Sequence, residues 1–158
     1  MDWMSNSQIA RLLLSVILGG VVGWERFIDQ KPAGLRTHTL VCLGSTGFML
    51  VSENALSSGA FSSLDPTRIA AGVITGIGFL GAGSILRTGG SVRGLTTAAT
   101  IWVVAAIGVA VGRGDVPLAL GLTALTFLVL RGFRIVERFY DRHRGRPGKG
   151  RTVIEEEG

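Results

Sequence analysis

The chain has 158 residues, a length that fits one domain, with 47% hydrophobic residues, 24 glycines and a net charge of +5. Its apolar residues come in blocks with the charges bunched between them. In water such blocks would expose large apolar patches, whereas in a bilayer they are what spanning segments look like. The single cysteine, Cys42, excludes an intrachain disulfide, argues against a thiolate metal site and reads as a small buried hydrophobe.

In chain order, the first apolar block runs from about Ile9 to Ile28, with Arg11 near one end and a Gly19/Gly23 pair on one face. It reads as a retained helix rather than a cleaved signal, because no small-x-small site precedes Trp24-Glu25. A polar stretch from Glu25 to His38 follows, broken by Pro32 and Gly34. The second block spans about 39–56 and carries Glu53 and Asn54 near its far end. After a Ser-rich loop, Asp65-Pro66 predicts the start of the third block, about 69–86. The loop from Arg87 to Gly94 leads to the fourth block, about 95–112, and the fifth spans about 116–133. Each block supplies roughly 16–20 residues, the short end of what a hydrocarbon core about 30 Å thick requires. The blocks do not alternate apolar and polar residues, so they do not read as barrel strands.

The expected fold is therefore all-α: a polytopic membrane protein, a bundle of about five transmembrane helices over residues 1–133, with a short basic tail over 134–158 that is partly disordered. Lysine and arginine set the orientation. With the N-terminus outside and the C-terminus cytoplasmic, 13 of the 16 basic residues lie inside. That distribution reads as topology and contact with the lipid bilayer, and it argues against nucleic-acid binding.

The polar stretch is the densest cluster beside the membrane. If the first helix continues past Trp24, Glu25 and Asp29 are four apart on one face, and two such carboxylates can hold Mg²⁺. A solvated cytoplasmic loop, ion-paired to Arg26 and Lys31, accounts for the same residues. Glu53, an acid at the end of an apolar block, is a third candidate metal ligand or an interfacial residue. In the third block Gly76-Ile77-Gly78-Phe79-Leu80-Gly81 spells a dinucleotide pattern, but without the strand before it that such a site needs. Its glycines, with Gly72 and Gly83, predict close helix packing, or a helix locally broken at a site. Thr96, Thr97 and Thr100 are expected to bond to their own helix or a neighbour, and Trp102 to pack. Neither His38 nor His143 has a partner at metal-ligand spacing, and no nucleophile–base arrangement indicates an enzyme.

Three runs of residues resemble the MgtC/SapB family. They are Gly23-Trp24-Glu25-Arg26 with Lys31-Pro32-Ala33-Gly34-Leu35-Arg36-Thr37-His38-Thr39-Leu40-Val41; Gly76 through Gly83; and Gly94-Leu95-Thr96-Thr97 continuing to Gly108. The resemblance covers about Leu12 to Phe133. It implies a bacterial inner-membrane protein with a five-helix hydrophobic domain, linked to magnesium homeostasis, growth in low Mg²⁺ and, in pathogens, virulence. It also implies that some members restrain membrane ATPases, notably the ATP synthase; direct Mg²⁺ transport is the alternative. Longer members carry a soluble ACT-like domain after the fifth helix, where this sequence has only its charged tail. The residues expected to carry function are Glu25, Arg26, Lys31, Pro32, Gly34, Leu35, Arg36, Thr37, His38, Gly76, Gly78, Gly81, Gly83, Thr96 and Thr97, with Mg²⁺ as the one ion implied. The small-residue faces suggest association, as a homodimer or with a membrane partner.

Overall fold

The computed structural model describes residues 5–57, 67–88 and 91–143. The expected Asp65-Pro66 helix start, the Ser-rich loop before it, and the disorder expected after Arg144 lie outside the described residues. Among the described residues the elements are α1 (Asn6–Ile28), α2 (Leu35–Ser57), α3 (Thr67–Gly83), β1 (Leu86–Thr88), β2 (Ser91–Arg93), α4 (Leu95–Gly112) and α5 (Val116–His143). The five-helix, all-α expectation holds. The helix bounds differ from the apolar blocks at several ends, each for a local reason.

α1 begins three residues before the block because Ser5 and Gln8 form a capping box: the Ser5 hydroxyl accepts from the Gln8 N–H, and the Gln8 side chain accepts from the Ser5 N–H. α2 begins at Leu35, so the last four residues of the expected polar stretch are its first turn. α3 stops at Gly83, and the loop expected after it is a short antiparallel hairpin that pairs Leu86 with Arg93 and Arg87 with Val92. Gly94 closes that hairpin onto α3. Its φ is 92°, and a β-carbon there would collide with the Ser84 carbonyl, so only glycine fits. α5 starts at Val116 as expected, capped by the Asp115 carboxylate, which accepts from the Leu118 N–H at 3.1 Å. It continues ten residues past the expected end at Phe133. The chain forms two compact units divided after Phe127, within α5, and residues 128–143 are the described part of the second.

α1, residues Leu95–Gly112 and residues Val116–Glu137 are long and apolar enough to cross a membrane, and α3 is an apolar helix of shorter length. α2 has the length, but its apolar run is diluted by His38, Ser45, Thr46 and Ser52, all of which are buried.

α2 is held between α1 and α4 by two glycine pairs spaced one turn apart. A β-carbon on Gly19 would lie 2.7 Å from Cys42 Cβ, and one on Gly23 would lie 2.8 Å from Leu35 Cα. On the other side, Gly108 abuts the Cys42 carbonyl, and a β-carbon on Gly112 would lie 2.5 Å from Met49 Cβ. The core fills around these crossings with Leu18, Val22, Ile101, Val104, Ile107 and Val111. Small residues let backbones approach this closely, and in a bilayer that approach is a main source of helix association.

The glycines of α3 behave differently. α3 buries only the stripe Val73, Ile77, Gly81. β-carbons on Gly72, Gly76, Gly78 and Gly83 would meet nothing within 4 Å, and Gly81 is in ordinary contact with Ala98. Among the described residues the close packing expected of these glycines is not made, and α3 is an unbroken helix. A cleft of about 650 Å³ runs between α2 and α3, lined by Gly44, Gly72, Gly76, Leu40, Phe48 and Leu80. Trp102, expected to pack, is half exposed and lines a larger apolar cleft between α3, α4 and the start of α5.

At one end of the bundle Arg11 joins three helices. Its Nη1 lies 2.6 Å from Glu53 Oε2 and donates to the Gly112 carbonyl at the end of α4, at 3.0 Å. A cation at a helix C-terminus is favourable on electrostatic grounds. Gln8 donates to Asn54 beside it.

Two measurements check this packing. Gly108→Ala is expected to lower stability in detergent by about 1–3 kcal/mol, as overpacked cores do, whereas Gly76→Ala is expected to be neutral or stabilising by up to about 1 kcal/mol. Thermal unfolding of the two variants side by side gives the comparison. A double-mutant cycle on Arg11 and Glu53 is expected to give a coupling of only about 0.2–1 kcal/mol, because both side chains reach solvent.

Candidate functional site

The opposite end of the same three helices is polar and closed. α1 continues past Trp24 because its inward stripe does: Ser15, Leu18, Gly19, Val22, Gly23, Glu25 and Arg26 are buried. Trp24, Phe27 and Ile28 point outward, with the Trp24 and Phe27 rings 5.9 Å apart. The helix ends at Asp29. Gln30 takes a positive φ of 52°, the Gln30 N–H donates to the Phe27 carbonyl, and the Lys31 N–H donates to the Arg26 carbonyl. These are the bonds of a Schellman stop, made here without glycine. Of the polar stretch expected from Glu25 to His38, only 29–34 lies outside helices.

That local structure buries two of its charges. Glu25 and Arg26 are 1% and 2% exposed, and the Glu25 Oε2 lies 3.9 Å from the Arg26 Nη1. Arg26 Nη2 donates to the Thr97 hydroxyl of α4 at 3.3 Å. α2 supplies His38, which is fully enclosed. Its Nδ1 lies 2.9 Å from the Gly34 carbonyl and its Nε2 3.2 Å from the Thr100 hydroxyl. Thr100 in turn donates to the Thr97 carbonyl at 2.8 Å. Gly23 makes the assembly possible, since a β-carbon there would press on Leu35 and on His38 Cβ. Two of the three sequence runs thus meet in one cluster: Glu25 and Arg26 from α1, His38 from α2, Thr97 and Thr100 from α4.

The remaining candidates lie around or away from it. Lys31, Pro32 and Arg36 are exposed at the rim, and Gly34, Leu35 and Thr37 are half-buried. Thr96 is exposed, one position round the helix from Thr97. The α3 glycines Gly76, Gly78 and Gly83 face open space. Of the three carboxylates proposed for a metal, Glu53 lies away from the other two. Glu25 sits in the cluster beside a guanidinium, Asp29 is half-buried at the end of α1, and Glu53 is paired with Arg11 at the far end. Among the described residues no group of three or more His, Cys, Asp or Glu could hold an ion.

Sequence reasoning placed Thr100 only as a generic hydroxyl and Arg11 only as an interfacial cation. The signals were present. Thr97 and Thr100 are three apart on one face, and Arg11 and Glu53 are opposite charges in two different apolar blocks.

What this arrangement does chemically is compensate charge out of water. A buried carboxylate and guanidinium are stable only when paired and hydrogen-bonded, and removing one partner typically costs about 3–5 kcal/mol. The cluster therefore fixes the register of α1 against α4.

A family model described as MgtC family matches residues 12–139. Among similar proteins, "Putative magnesium transporter YhiD" of Escherichia coli K12 is 47% identical over 133 residues, covering 82% of this chain and 62% of that protein. "Protein SrpB" of Synechococcus elongatus is 43% identical over 146 residues, 87% of this chain and 79% of its own length. "Protein MgtC" of Salmonella typhimurium is 48% identical over 117 residues, 74% of this chain and 48% of the relative. The chain thus spans less than two thirds of the YhiD and MgtC relatives. No solved structure matches it. The family match covers the whole closed cluster and the helices that build it, and the chain belongs to the MgtC family, whose members are multi-pass proteins of the bacterial inner membrane.

Proposed function

We propose that this protein supports magnesium homeostasis and growth in low Mg²⁺ as a non-enzymatic regulator of a membrane partner such as an ATPase. The observation that carries this reading is the closed state of the cluster. Glu25, Arg26 and His38 are buried and compensated within the chain, while the basic rim of Lys31 and Arg36 beside them is exposed. The helices below are in direct backbone contact through the glycine pairs. The buried hydroxyls of Ser15, Thr46 and Thr100 each donate to a helix carbonyl, of Leu12, Gly108 and Thr97 respectively. Such a bundle suits a rigid platform that presents a rim and a face to another protein. With the basic rim on the cytoplasmic side, as the distribution of lysine and arginine favours, the partner acts from within the cell. The open glycine face of α3 offers a second copy, or the partner's own helix, a place to pack.

Direct transport is the second reading. It is favoured by the three ionisable side chains buried in the membrane domain, which mark ion pathways in many transporters, and by the name of the YhiD relative.

Two assays on the same variants separate the readings. In cells lacking the protein, Arg36→Ala is expected to abolish rescue of growth in low Mg²⁺ at an unchanged protein level, because Arg36 is exposed and its loss leaves the fold intact. Purified protein in liposomes is expected to give no Mg²⁺ uptake above empty vesicles. Uptake that disappears with Glu25→Ala would replace the regulator reading with transport. Full rescue by Arg36→Ala would remove the rim from the mechanism.

A further inference from the structure

The hydrogen bonds around His38 count protons. A carbonyl oxygen only accepts, so Nδ1, 2.9 Å from the Gly34 carbonyl, carries a hydrogen. On the other side of the ring Nε2 faces the Thr100 hydroxyl at 3.2 Å. That hydroxyl has one hydrogen, and it is donated to the Thr97 carbonyl at 2.8 Å. With its hydrogen committed there, Thr100 Oγ1 offers Nε2 only lone pairs. The contact is satisfied when Nε2 also carries a hydrogen, which makes the ring an imidazolium. In the neutral ring the Thr100 hydroxyl must instead rotate and donate to Nε2, releasing the Thr97 carbonyl. The two states differ by one proton on His38 and one hydroxyl rotation on α4.

We propose that His38 is a buried proton-binding site in the membrane domain, and that the Thr100 hydroxyl switches between Thr97 and His38 as the proton leaves. This goes beyond the regulatory role proposed above and stands without it. The charged groups around it are few. α1 contributes Glu25 and Arg26, with Asp29 one turn further on. α4, from Leu95 to Gly112, contains no ionisable side chain. α2 itself has Arg36, which is exposed, Cys42 one turn away, and Glu53, which is paired at the far end. An imidazolium beside a guanidinium would be costly out of water. The Glu25 carboxylate in the same cluster offsets the Arg26 charge, so Glu25, Arg26 and His38 together pass from neutral to a single positive charge. Because His38 is on α2 and Thr100 on α4, the proton exchanges donor and acceptor in the bond that joins those two helices beside the exposed rim. Histidine is the side chain whose ordinary titration falls in the physiological range, and two-partner networks of this kind set which ring nitrogen holds the proton.

The test uses the full chain in lipid nanodiscs with His143→Gln, which leaves His38 as the one histidine. Nitrogen NMR of the labelled ring follows each nitrogen from about pH 9 down to about pH 5. The expected result is an Nδ1 protonated throughout and an Nε2 that holds its proton by the acid end. In Thr100→Val the protonated ring loses its acceptor, and the midpoint is expected to fall by about one pH unit, a tenfold loss of proton affinity. Thr100→Ser restores the hydroxyl and is expected to restore the midpoint. An Nε2 that stays unprotonated across the range overturns the proposal whatever the variants do, and so does a midpoint that Thr100→Val leaves in place.

Discussion

Every polar feature of this bundle follows from how tightly α2 is gripped. Where Gly19 and Gly23 of α1, and Gly108 and Gly112 of α4, face it, no β-carbon separates the backbones. Contact that close leaves no room for water along the seams, so a polar side chain entering them must find its partner in the protein. The hydroxyls of Ser15 and Thr46 do so on helix carbonyls. The charged groups do so only at the two ends, where the helices supply one another with counter-charges and acceptors.

α1 brackets the assembly. Arg11 and Arg26 are separated by about four helical turns, which returns them to nearly the same face. Arg26 reaches the beginning of α4 at Thr97, and Arg11 reaches its last carbonyl at Gly112. The two ends are not equivalent. Arg11 and Glu53 are 24% and 53% exposed, so water screens them and their pairing contributes little. Arg26 and Glu25 are enclosed, so removing either one leaves a charge buried, at a typical cost of about 3–5 kcal/mol. The end richest in family sequence is therefore also the end where a single substitution does most harm, and low activity in Glu25 or Arg26 variants has to be read against the amount of folded protein.

Hydropathy made the helices legible where apolar runs coincide with them, and α4 was placed to the residue at both ends. It was ambiguous where charge is internal. The run from Glu25 to Ile28 fell both in the first block and in the polar stretch, because it holds Glu25 and Arg26. The periodicity decides for helix, since Arg26 continues the inward stripe of Ser15, Gly19 and Val22. The capping box at Ser5 and Gln8 was equally readable from spacing. The glycines show the opposite failure. Composition says that small residues pack, but it cannot say against what. The pairs on α1 and α4 meet α2, while those on α3 fall off its one buried stripe of Val73, Ile77 and Gly81. Nor could a linear sequence bring Thr100 to His38, because that contact joins α2 to α4 across 62 positions.

The same grip bears on how such a domain would work. A hydrated divalent cation gives up its waters reluctantly and needs oxygen ligands in their place. To pass along α2 it would have to separate helices that now touch through their backbones, breaking the Gly19–Cys42 or Gly108–Cys42 approach. The hydroxyls of Ser15, Thr46 and Thr100 in the bundle already donate to helix carbonyls. A change at the His38 end asks much less. One proton and one rotated hydroxyl alter the α2–α4 joint without opening either seam, and the residues beside that joint, Lys31 and Arg36, are exposed. The regulatory role proposed for this bundle therefore makes a smaller physical demand on the fold than conduction does.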